Sequence, residues 1–355
     1  MRITTASPML PIIRLAAVIF AFVGASSAFG ASSEQSADDA APDQVLRAYV
    51  TNFEDEGVSV IDTSEGQVVA HIETGVKPHG VAIAPDGKAV YVSNEGDGTL
   101  SVIDPGSNRV IATIAVGERP NQIAVSEDSH HVFVTLNGSD TMAIVDAVAG
   151  KVSKVVRVGR APHIALLSPD GKRVYVTSEG DMKLIALDAQ SWDVLFETPL
   201  FGWPRVLAVS PDGTTAYQTK RWLNGVLVVD LHAHKVVDRI AFEEPTFAPD
   251  GKDAHGAALT PDGRELWLTT QTSDDVAVIR TSDRKLLRRI PVGDDPNWIA
   301  FTPNGELAVV SNTGSDSVSI IDVEKRKVSA ILPVGMAPKR LAVGLVLASG
   351  AALDP

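Results

Sequence analysis

The chain of 355 residues contains no cysteine. That absence excludes disulfides, thiolate metal ligands, a cysteine nucleophile and a lipidated N-terminal cysteine at once. Positive charge is also short, with 31 Lys and Arg against 44 Asp and Glu, for a formal charge of −13. Nucleic-acid binding draws most of its affinity from basic patches, so no nucleic-acid partner is expected. Aromatic residues make up only 5% of the chain. Trp203, Trp222 and Trp298 are the only hint of base stacking, and the chain lacks the net positive charge that would accompany it. What is abundant is Val, Gly, Thr, Asp and Pro, the vocabulary of short strands and tight turns. With 45% hydrophobic residues the chain can bury a core.

Arg2 and Arg14 lead into an apolar run at residues 15–24, and small residues follow from Ala25 to Ala31. A run of about ten residues is too short to cross about 30 Å of hydrocarbon. Positive start, short apolar centre and small-residue exit describe a secretory signal peptide over residues 1–30, cleaved after Ala28 or Gly30. Its removal leaves 29 basic and 44 acidic residues, a charge of −15. Residues 31–45 read as an acidic linker and residues 348–355 as a tail. The expected product is exported, periplasmic or secreted, without membrane insertion after cleavage, and monomeric.

Internal repetition decides the fold. Tyr49-Val50-Thr51-Asn52 returns as Tyr91-Val92-Ser93-Asn94, Phe133-Val134-Thr135-Leu136 and Tyr175-Val176-Thr177-Ser178, then more weakly from Tyr217, Trp267 and Val309. The steps are 42, 42, 42, 42, 50 and 42 residues. An apolar run ending at Asp62, Asp104, Asp146, Asp188, Asp230, Arg280 and Asp322 keeps the same step. So does a Pro-Asp-Gly turn beginning at Pro85, Pro169, Pro211 and Pro261. Each unit divides into four short strands separated by turn residues. In one unit they fall near residues 80–84, 89–93, 100–103 and 110–115.

Four alternating strands per 42 residues predict an all-β, seven-bladed β-propeller of four-stranded antiparallel blades over residues 46–347. The chain enters at a second strand near Ala48 and ends on a first strand at residues 339–343, so the two ends share one blade and close the ring. Eight extra residues around residues 243–253 form a loop insertion, either a bland junction or a partner contact. The repeated aspartates are expected to cap turns.

The repeated phrase resembles the YVTN family of propellers over residues 47–346. Repeat spacing and the insertion are similar to exported members associated with quinoprotein alcohol oxidation, and more distantly to the haem-binding propeller of cytochrome nitrite reductases. The resemblance implies the fold and leaves the activity open. No Cys-x-x-Cys-His for haem and no Gly-rich phosphate cradle is present.

Propeller sites lie where loops converge on the axis. One residue per blade, just before the first strand, should face the channel: His79, Asn121, His163, Arg205, His255, Asn297 and Lys339. With 8 histidines in 355 positions, seven random slots should hold about 0.16. They hold three, on alternate blades. Three inward imidazoles suit zinc, copper or iron. Hairpin pairing sets His79 opposite Asn94 beside Glu95, and His163 opposite Ser178 beside Glu179, so the two carboxylates could orient the histidines. The plainer reading makes them strand-entry residues bonded to carbonyls. Arg205 pairs with Lys220 beside Arg221 and Trp222, and Lys339 with Arg340 closes the ring. Together with Asn121 and Asn297 they form a rim suited to a small anion. None of the seven is acidic, as a calcium-type lactonase funnel would require.

Two functions follow. The first is an exported binding or accessory propeller whose His-rich funnel holds a small anionic ligand or protein partner. The second is a metal- or cofactor-dependent redox enzyme at His79, His163 and His255, with the rim expected to be solvated.

Overall fold

Alternating apolar residues bounded by Asp- and Gly-rich turns give strands of five to ten residues throughout the computed structural model, which describes residues 43–242 and 253–348. The signal-peptide region, the insertion at 243–252 and most of the tail lie outside the described residues. Among the described residues there are 28 strands and a single 3-10 turn at Thr313–Ser315. They form seven four-stranded antiparallel sheets. In the unit whose strands were expected near residues 80–115, the strands run Pro78–Ile83, Val90–Asn94, Thr99–Asp104 and Arg109–Ala115.

Closure follows the predicted pattern. Strands β1 (Gln44–Asn52), β2 (Gly57–Asp62) and β3 (Gln67–Glu73) are completed by the last strand, β28 (Pro338–Leu347), which pairs with β1 from Gln44↔Leu347 to Asn52↔Pro338. The outermost strand of each blade is mostly exposed and the inner three are buried. The core therefore lies between blades. Tyr49, Val58 and Val60 of one blade pack against Val81, Val90, Val92 and Ile103 of the next. Full burial of each such side chain contributes roughly 1.5–3 kcal/mol.

Polar residues of the repeated phrase do a second job. The third-position hydroxyl of each blade bridges two backbones. Thr51, for example, accepts the Arg340 N–H at 3.1 Å and donates to the His79 carbonyl of the neighbouring blade at 2.9 Å. Ser93, Thr135, Thr177, Thr219, Thr269 and Ser311 make the corresponding pair of bonds. All seven junctions are stapled in this way. The strand-ending aspartates cap turns as expected: Asp62 Oδ1 accepts the N–H groups of Ser64 and Glu65, each at 2.9 Å.

The hairpin register departs from expectation at the channel mouth. Pro78, not His79, pairs with Asn94; Pro162, not His163, pairs with Ser178; Pro204, not Arg205, pairs with Lys220; Ala254, not His255, pairs with Thr270. A β-bulge follows each of these pairs, setting two residues of the inner strand against one of its partner. The turn-centred count missed that extra residue. Gly80 sits in the first bulge, where a Cβ would collide with the Asn121 carbonyl.

Candidate functional site

Each bulge lets two consecutive residues work at the channel mouth. The first is the predicted axial residue, and its carbonyl receives the staple from the preceding blade. The second gives its N–H to the staple of its own blade. In chain order these second residues are Gly80, Gln122, Ile164, Val206, Gly256, Trp298 and Arg340. One of them is charged.

Arg340 is the centre of the site. Its side chain is 1% exposed and reaches residues of two other blades. Nη2 donates to His163 Nε2 at 2.9 Å, Nη1 donates to Asn297 Oδ1 at 3.2 Å, and the guanidinium lies 4.3 Å from the Trp298 ring centroid. Its Nε has no protein partner, and no carboxylate is paired with it among the described residues. Burial, with Arg205 nearby, pushes its pKa down to about 9. The guanidinium is still protonated at neutral pH.

A guanidinium can only donate, which settles the tautomer of His163. Nε2 must accept, so the proton sits on Nδ1, which donates to the Arg205 carbonyl at 3.2 Å. His255 Nδ1 faces the Asn297 carbonyl at 3.0 Å and carries its proton because a carbonyl only accepts. His163 and His255 meet edge to face with centroids 6.5 Å apart. His79 stands against Phe53 at 5.8 Å, and its buried Nδ1 has no protein partner. The three histidines are only 7%, 4% and 8% exposed, so the expected solvated rim is in fact buried. Burial and then the Arg340 charge hold all three well below the usual histidine range, so each is neutral.

These residues do not fit a metal. Among the described residues no three His, Asp or Glu side chains are grouped to hold one ion. The lone pair of His163 is taken by Arg340, whose charge would oppose a dication in the same space. Glu95 pairs with Arg119 at 3.2 Å and Glu179 with Arg205 at 3.4 Å, so neither carboxylate orients a histidine. Both are committed to cations instead.

Of the rest of the predicted rim, Lys339 and Arg205 lie near Arg340, whereas Lys220 is directed to the Phe201 carbonyl. Lys339 lies over Phe53, 3.3 Å from its centroid, and burial first, then Arg340, brings its pKa down to about 8. Lys220 Nζ donates to the Phe201 carbonyl at 2.9 Å. Asn121 Oδ1, Gln122 Oε1, Arg205 Nε and Arg340 Nε are buried without a partner among the described residues. Orphaned polar atoms of this kind cost about 1–3 kcal/mol each and ask for a ligand or water.

Beneath the mouth the channel turns apolar. Trp298 and Leu207 line two adjoining cavities of about 230 and 380 Å³, together with Leu166 and Leu167, and the larger reaches the turn residues Pro169, Pro211 and Pro261. The Arg340–Trp298 stack is therefore the floor of the polar mouth. Sequence reasoning placed Arg340 at the closing blade but not at the centre. The available signal was that Arg340 is the sole charge among the seven residues following the axial position.

Solved propellers share this architecture. The chain is similar to Kuenenia stuttgartiensis hydrazine synthase (20% identity, 78% of this chain and 96% of that one, TM-score 0.67). It is similar to the Pseudomonas aeruginosa periplasmic gluconolactonase PpgL (22%, 84% and 99%, 0.67) and to the dihydro-heme d1 dehydrogenase NirN (17%, 88% and 78%, 0.65). At these identities the likeness is one of fold. No curated protein matches the chain. A family description does match, over residues 9–135 and again over 113–259. The chain belongs to the YNCE-like beta-propeller family.

Proposed function

We propose that this protein is an exported binding propeller that holds a small organic anion, a carboxylate, at the mouth of its central channel. One observation carries the reading: Arg340 is a buried, protonated guanidinium without an acidic partner among the described residues, and its Nε is unbonded. Holding a cation out of water costs several kcal/mol unless an opposite charge compensates it. Arg205 and Lys339 flank it, the neutral histidines add no charge of their own, and a fork-shaped guanidinium matches a carboxylate. Against a net negative charge, the cluster of Arg340, Arg205 and Lys339 is a local reversal of sign that favours an anion. Export rests on the pattern of residues 1–30.

The test uses protein secreted by an export-competent host, whose mature chain is expected to begin at Phe29 or Ala31. Isothermal titration with acetate, gluconate and benzoate at low ionic strength should show at least one binding. Arg340→Gln should weaken it tenfold or more. Affinity in the parent should fall as pH rises through about 8, where Lys339 loses its charge. If none of the three binds, or Arg340→Gln binds as the parent does, the anion site is wrong.

A further inference from the structure

The cationic mouth has an aromatic wall along one sector. Trp203 stands two residues before Arg205, and its carbonyl accepts the Arg221 N–H at 2.8 Å. Trp222 follows Arg221. The two indoles are 5.3 Å apart at 46°, and the Arg221 guanidinium lies 5.3 Å from each ring. Both indoles are exposed at their edges, as is Phe201 beside them.

Packing does not account for this wall, because the rings are not buried. Its backbone is nevertheless constrained. Trp222 has φ +63° and Phe201 φ +53°, the left-handed region that bulky residues avoid. The Trp222 N–H donates to the buried carboxylate of Asp253 at 2.5 Å, which anchors the turn from the next blade. Exposed indoles beside Arg205 and Arg221, on a turn anchored by Asp253, form a surface suited to recognition.

We propose that the anion taken here is an aromatic carboxylate, its carboxylate held by Arg340 and Arg205 and its ring set against Trp203 and Trp222. This rests on the anion reading above and names the class of ligand. Aromatic pairs add to simple area burial, so an aryl acid should be preferred over a saturated acid of the same size and charge by about three- to tenfold.

Benzoate and cyclohexanecarboxylate provide that comparison. In titrations of the mature parent, benzoate should bind the more tightly by that factor. Replacing both indoles (Trp203→Leu with Trp222→Leu) should bring the two acids to near parity, while Arg340→Gln should weaken both in proportion. Should the double variant fail to fold, the two single variants carry the same comparison. An unchanged benzoate preference in the tryptophan variants overturns the aromatic wall and leaves the anion site standing. So does a parent that binds gluconate but neither cyclic acid. An Arg340→Gln protein that binds benzoate like the parent overturns the anion site itself.

Discussion

Three buried imidazoles share the channel mouth with a buried guanidinium, and this makes acid the weak side of the fold. Each histidine is held neutral, with a pKa well below the 6.5 it has in the unfolded chain. A base whose folded pKa is depressed contributes no penalty above its unfolded pKa. As pH falls below 6.5 the unfolded chain takes up protons that the folded one refuses, and stability is lost. Lys339 and Arg340 are depressed in the same sense at higher pH, to about 8 and about 9. Their cost is therefore relieved as pH rises through those values. Asp253 runs the other way, since burial raises it to about 6, so it opposes the histidine trend between its unfolded value and that pH. We expect urea midpoints to fall from pH 7 to pH 5, and to fall less when His79, His163 and His255 are all replaced by Gln. An identical pH profile in the triple variant would show that the imidazoles are not the groups taking up protons.

At the scale of the element, the unit that matters is the stapled bulge. The hydroxyl of Thr135 accepts the Gln122 N–H at 3.1 Å and donates to the His163 carbonyl at 3.1 Å across the blade junction. Thr135→Val keeps the shape and removes both bonds, leaving two buried backbone groups unpaired. That should cost about 1–3 kcal/mol for each group left unsatisfied. Thr135→Ser keeps the hydroxyl and should cost much less. Urea denaturation of the pair measures the difference; equal midpoints would mean the staple contributes nothing. The same bulge explains why pairing counted back from the Pro-Asp-Gly turn slipped by one residue at Pro78, Pro162, Pro204 and Ala254.

For the whole molecule, closure depends on one strand. β28 supplies the inner partner of β1, its Leu347 N–H reaches the Gly87 carbonyl at 3.0 Å, and its Arg340 fills the channel mouth. A chain ending at Gly335 leaves β1 with an open inner edge and exposes Tyr49 and Val50, both fully buried in the ring. It should lose the single cooperative transition by calorimetry, and anion binding with it. A truncated chain melting at the parental temperature would refute closure by this strand. Because the mouth is built from residues between His79 and Arg340, no contiguous half of the sequence contains the complete site.

The sequence by itself determined the number of blades, the four-strand unit and the shared closing blade. All of these follow from a 42-residue step that repeats local turn chemistry and alternation. It also singled out Arg205 and Lys339, whose charges lie near Arg340, together with Lys220, which instead bonds the Phe201 carbonyl. Only the tertiary structure decided that the histidines are buried and neutral, that Glu95 and Glu179 face arginines, and that Arg340 occupies the centre. Those outcomes depend on contacts between residues 24 to 177 positions apart, such as Glu95 with Arg119 and Arg340 with His163, and a repeat pattern carries no information about which of them meet. The bulge was hidden for a related reason. It is one unpaired residue on the inner strand, and a turn-centred count assumes a ladder without one.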